Sequence, residues 1–126
     1  MATASDLLGT WRLIAMRAWS PDGTERRPIG DKPIGFAVFD TTGRVFFQIS
    51  KSVAEGASAD EVAKSFMAYF GKVTVNGDQL STAVESGNNR EDIGTTQTRT
   101  ITLDGDTLTI GIPGKIQATL RREAKS

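Results

Sequence analysis

Gln97 and Arg99 are the residues whose placement asks most plainly for chemistry. In the run Gln97-Thr98-Arg99-Thr100-Ile101-Thr102-Leu103, every second residue is a threonine. Successive side chains of a strand point to opposite faces. Gln97 and Arg99 therefore share the core face of Ile101 and Leu103, while threonines 96, 98, 100 and 102 face water. A guanidinium on a core face is expensive unless it is partnered. Arg99 needs solvent at a rim, a structural carboxylate such as Glu85, or the acidic or carbonyl group of a ligand.

The rest of the inventory narrows that chemistry. The chain has no histidine, the usual general base near neutral pH and the commonest metal ligand, and no cysteine. Ser-His-Asp and Cys-His arrangements are excluded, as are disulfides and thiolate metal sites. Outside turns and the predicted helix, Glu91-Asp92 is the only close acidic pair. An oxygen-ligand metal site needs more carboxylates than that, so no metal and no cofactor are expected. Gly30-Asp31-Lys32-Pro33-Ile34-Gly35 has the glycine spacing of a phosphate loop, but Phe36 and Ala37 stand where Lys and Ser or Thr are required. Arg26-Arg27 reads as a solvated strand end opposite Glu25 and Asp31. The 15 Lys and Arg balance 15 Asp and Glu, and no basic stripe is visible, which argues against nucleic acid and anionic lipid. No run approaches the roughly 20 apolar residues of a membrane span, and the short segment before Gly9 has no room for a signal peptide. The expectation is a cytoplasmic protein, in keeping with the absence of cysteine.

These side chains must be positioned by a sheet. The 126 residues suit one domain over 1–126 with a sizeable core. Asp22-Gly23, Thr42-Gly43, Asn76-Gly77 and Asp104-Gly105 separate runs rich in Val, Ile, Thr and Phe, the signature of tight hairpins. Strands are predicted at 10–19, 24–29, 34–40, 44–51, 69–76, 79–87, 95–103, 106–112 and 115–122. Closing them removes exposed edges, so the fold class is all-β: a single meandering antiparallel β-barrel of eight to ten strands. One short helix is expected near 59–69, where Ser58 and Glu61 form a capping box and Val62, Phe66 and Phe70 recur at intervals of four. Its apolar face would cover a barrel end, as a fixed plug or a lid. Alternation places Ile34, Phe36 and Val38 on one face and Val45, Phe47 and Ile49 on another; Val84, Ile110 and Ala118 continue the interior rows. Strands 34–40 and 44–51 are apolar on both faces, so Phe39 and Phe46 could instead meet the helix or a second subunit.

Leu8-Gly9-Thr10-Trp11-Arg12-Leu13, Asp22-Gly23, Pro28-Ile29-Gly30, Gly35 through Phe39, Thr42-Gly43-Arg44, Ala68-Tyr69-Phe70-Gly71 and Gln97 to Leu103 together resemble the bacterial and fungal lipocalin-like domain proteins of the calycin superfamily. The resemblance spans nearly the whole chain. It implies that Trp11 closes the barrel floor and that Arg122 packs across it as a structural latch. It also implies a barrel able to hold a small hydrophobic molecule. The preferred reading is a binder of an apolar or aromatic ligand with an acidic or carbonyl group, held by Phe36, Val38, Phe47, Tyr69, Val84, Gln97, Arg99, Ile110 and Ala118. A second reading is a cyclase or isomerase in which Arg99 or Tyr69 stabilises negative charge and Glu85 accepts a proton. A third is a filled barrel acting as an interaction subunit through an exposed Phe39 or Phe46. A homodimer is left open on general grounds.

Overall fold

The computed structural model describes residues 2–124. Its strands are β1 (Gly9–Trp19), β2 (Glu25–Arg26), β3 (Ile34–Phe39), β4 (Arg44–Ser50), β5 (Phe66–Asn76), β6 (Gln79–Gly87), β7 (Thr96–Asp104), β8 (Thr107–Ile112) and β9 (Ile116–Arg122), with one short helix, α1 (Ala59–Ala63). Every pairing is antiparallel, and β1 also pairs with β9, from Trp11 opposite Arg122 to Ala18 opposite Ile116. That last ladder closes β1 and β3 to β9 into an eight-stranded barrel, with β2 hung outside on the end of β1. Closure leaves few free edges, the expected outcome for a chain of alternating strands and tight turns. The β5–β6 and β7–β8 hairpins turn through Gly77 and Gly105, whose φ of +64° and +59° a residue with a Cβ adopts only under strain.

Two predicted elements are shorter than their sequence patterns suggest. The strand expected at 24–29 stops at Arg26, because Pro28 has no amide to donate and Gly30 turns back to bond the Arg27 carbonyl. The helix expected over 59–69 ends at Ala63. The Ser58–Glu61 capping box starts it, but Ser65 donates its hydroxyl to the Val62 carbonyl at 2.7 Å, and the chain then enters β5 with Phe66 opposite Ser50. A spacing of four satisfies a strand face as well as a helix face, so Val62, Phe66 and Phe70 carried no information about which element would win. The helix buries none of its residues, and Val62 is 45% exposed, so no apolar helix face plugs the barrel.

The face assignment of β3 is also corrected. Gly35, Ala37 and Phe39 point inward, whereas Ile34, Phe36 and Val38 lie on the outer surface. The register fixes this: Ala37 sits between Trp11 on β1 and Phe47 on β4, and both of those rings belong to the core. Small Ala37 between two large rings, and Gly35 against Ile49, fill the interior without overpacking, while an inward Phe36 and Val38 would compete for the same volume. Phe39 is buried rather than exposed. The core runs through Leu7, Trp11, Phe39, Leu108 and Leu120 at the floor and extends to Phe47 and Ile49.

Candidate functional site

The floor is sealed. Trp11 is 0% exposed and donates its indole N–H to the Leu7 carbonyl at 2.8 Å. The guanidinium carbon of Arg122 lies 4.2 Å from the centre of its ring. That guanidinium donates to the Leu8 carbonyl at 2.7 Å and the Asp6 carbonyl at 2.8 Å, and its Nε sits 3.3 Å from Asp106. A cation over indole is worth about 0.5–2 kcal/mol, and here it also ties the chain before β1 to the end of β9.

The opposite end is open. Met67 and Tyr69 on β5, Gln97 and Arg99 on β7, Ile110 and Ile112 on β8, and Ile116 on β9 are only half buried. They share the strand faces of the fully buried Ile101 and Leu108, so their exposure is that of a mouth. Tyr69 packs its ring 5.5 Å from Phe47, and burial holds its phenol pKa above the ordinary value, an effect the nearby Arg99 charge opposes and Asp92 adds to. Arg99 donates to the neighbouring Thr98 carbonyl at 3.0 Å. Among the described residues it has no carboxylate at ion-pair distance.

Glu85 does not serve this mouth. Both its oxygens are taken by Arg44 on the outer surface, through Nε at 2.7 Å and Nη2 at 3.1 Å. The bidentate hydrogen bonds hold its pKa below the usual carboxylate range. It is therefore neither the structural partner of Arg99 nor a poised proton acceptor. Of the sequence-predicted ligand set, Tyr69, Gln97, Arg99 and Ile110 meet at the mouth. Phe47, Val84 and Ala118 lie in the closed core, while Phe36 and Val38 belong to the outside.

Neither Arg99 nor Gln97 lines any of the three most pronounced cavities among the described residues. One, of about 1060 Å³, joins the mouth residues Ile110, Ile112 and Ile116 to the outer face of β7, β8 and β9 beside Trp19, Pro21 and Arg26. A second, of about 630 Å³, lies on the outer face of β3, β4 and β5, with Phe36, Phe46 and Phe70 along it. Sequence reasoning missed Trp19 and Phe70 as surface features, since an aromatic in an alternating strand gives no sign of its face. Among the described residues, no group of His, Cys, Asp and Glu could hold a metal, and no helix is long and apolar enough to cross a membrane.

A sealed floor latched by Trp11 and Arg122, beneath an eight-stranded meander, defines a lipocalin-like barrel. The family description "lipocalin-like domain" matches residues 8–125, and the chain belongs to that family. Among solved structures, it is similar to a lipocalin-like protein from Bacteroides uniformis ATCC 8492 at 17% identity and a TM-score of 0.55, covering 94% of this chain and 99% of that one. An uncharacterized protein from Bacteroides eggerthii DSM 20697 is similar at 16% identity and a TM-score of 0.54, covering 94% of this chain and 100% of that one. Such low identities carry the fold alone. No curated protein matches the chain. The barrel fold is consistent with ligand binding.

Proposed function

We propose that this protein binds a small apolar or aromatic molecule bearing an acidic or carbonyl group, seated in the open mouth of the barrel. The observation that carries the reading is Arg99: a cation on an inward strand face, beside Tyr69, with no carboxylate partner among the described residues. Met67, Ile110, Ile112 and Ile116 offer apolar surface to the body of the ligand, and its head group would face Arg99, with Gln97 and the Tyr69 hydroxyl beside it. Few polar groups among many apolar ones is the usual make-up of a small-molecule site. The seat is shallow, because Trp11, Phe39 and Phe47 fill the lumen below it. Catalysis is the weaker reading, since the carboxylate expected to accept a proton, Glu85, is bound to Arg44 outside the barrel.

The test is a calorimetric titration with 8-anilinonaphthalene-1-sulfonate, an aromatic anion, against the wild type and Arg99→Ala. A hydrogen bond to a charged group contributes about 1.5–3 kcal/mol, so the variant should bind roughly 10- to 100-fold more weakly with an unchanged melting temperature. Equal affinity in the two proteins would remove the mouth as the anion's seat.

A further inference from the structure

The 1060 Å³ cavity beside the mouth has a charge of its own. Arg26 and Lys115 are the only charged residues that line it, and no acid joins them. Neither makes an ion pair among the described residues, although their neighbours do: Arg17 holds Glu25 at 3.5 Å and Arg27 holds Asp31 at 3.6 Å. Asp22, in the adjoining turn, accepts the Thr24 amide at 2.9 Å and does not line the cavity. The carboxylates nearest in sequence to Arg26 are therefore committed elsewhere.

Arg26 and Arg27 are adjacent in the chain, but register separates them. Arg26 lies opposite Ala18, Ala18 opposite Ile116, and Ile116 opposite Ile112. Partners across a ladder share a face, so Arg26 is on the inner face with buried Ala18 and the two isoleucines. The Trp19 amide bonds the Lys115 carbonyl at 2.9 Å, which joins the Lys115 turn to the end of β1. Two strand spacings, about 10 Å, separate β2 from β9, so both long cationic side chains can meet one anion. At the other end of the row, Ile112 borders β7, where Thr100, also lining the cavity, adjoins Arg99.

We infer that Arg26 and Lys115 form a second anion seat at the mouth, and that the ligand carries an acidic group at each end: an elongated apolar diacid. This rests on the proposed seat of one acidic group at Arg99. Ile110, Ile112 and Ile116 form the apolar strip between the two seats. Four strand spacings, about 19 Å of curved wall, separate β2 from β7, and both arginines reach into that span. A monoacid leaves the second seat to water, whereas a carboxylate placed there gains charge-assisted hydrogen bonds. Without such a seat, an ionised end buried against isoleucine would weaken binding.

Calorimetric titration of the full chain with laurate and with dodecanedioate, chains of equal length differing by one carboxylate, tests this. Dodecanedioate should bind the wild type about 5-fold more tightly than laurate, and the advantage should shrink as salt rises from about 0.05 to 0.5 M. Arg26→Ala should remove most of it, weakening dodecanedioate about 5-fold and laurate less than about 2-fold. Both cations are exposed, so folding should be unaffected, as a melting curve checks; if Arg26→Ala unfolds, Lys115→Ala decides. A wild type that prefers laurate overturns the inference, as does an Arg26→Ala protein in which both acids, or neither, are weakened. Arg99→Ala separates the two readings. Laurate indifferent to that change, or no binding of either acid to the wild type, removes the Arg99 seat and this inference together. Laurate weakened by it, with dodecanedioate indifferent to Arg26→Ala and Lys115→Ala, removes the second seat alone.

Discussion

Two tryptophans sit beneath arginines at opposite ends of β1, and the contrast between them separates the floor of the barrel from its mouth. At the floor, Trp11 is fully buried and Arg122 approaches it to 4.2 Å, with its donors committed to two backbone carbonyls and Asp106. At the mouth, Arg17 lies 5.2 Å from the centre of a half-buried Trp19 and reaches Glu25 only at 3.5 Å, with both charged side chains exposed. The same pair of residue types is a closed structural joint in one place and a loose surface contact in the other. The difference lies in desolvation: a cation over indole gains most where water is excluded and its hydrogen bonds are fixed.

Breaking the floor should have the largest effect. Trp11→Ala is expected to lower unfolding free energy by about 3–5 kcal/mol, as loss of a large core aromatic does, read by urea denaturation. A near-neutral result would mean that the ring does not close the barrel. Next comes the direct contrast of the two arginines. Arg122→Ala should cost about 2 kcal/mol, through the lost ring contact and the two orphaned carbonyls, whereas Arg17→Ala should stay within about 0.5 kcal/mol. Equal effects would abolish the distinction between floor and mouth.

The smallest effect sharpens the picture of the mouth itself. Tyr69 is the only tyrosine, so phenolate absorbance at 295 nm reports it alone. Burial raises its folded-state pKa above the ordinary 10.0, the unfolded chain therefore ionises first, and the stability so gained is complete below pH 10.0 and declines as the pH rises through the window above it. Arg99→Ala should move that midpoint higher still, because a neighbouring positive charge favours phenolate. A midpoint at or below 10.0 would place Tyr69 in open water.

Much of the fold could be read from residue order because its signals are local. Glycine turns and period-two runs delimit strands whatever they pack against, and the meander follows from hairpins of nearest neighbours. The helix was legible at its start, where Ser58 and Glu61 bond each other's backbone, and illegible at its end, where a spacing of four suits helix and strand alike. The site was legible in part. Arg99 could be placed on the interior face because Ile101 and Leu103 anchor that alternation, with threonines opposite. Phe36 and Val38 could not, because β3 and β4 are apolar on both faces and a shift of one residue exchanges the two.

The sequence by itself determined the strand count, the closure of an uncharged-on-balance all-β chain and the exclusion of histidine and cysteine chemistry, since these depend on composition, turn residues and local periodicity. Tertiary structure alone decided which apolar face became interior, that Glu85 belongs to Arg44 and not to Arg99, and that Phe36, Phe46 and Phe70 gather outside. Those outcomes rest on register between strands distant in sequence, fixed by which side chains fit together inside a closed volume around Trp11, and no local pattern encodes that fit.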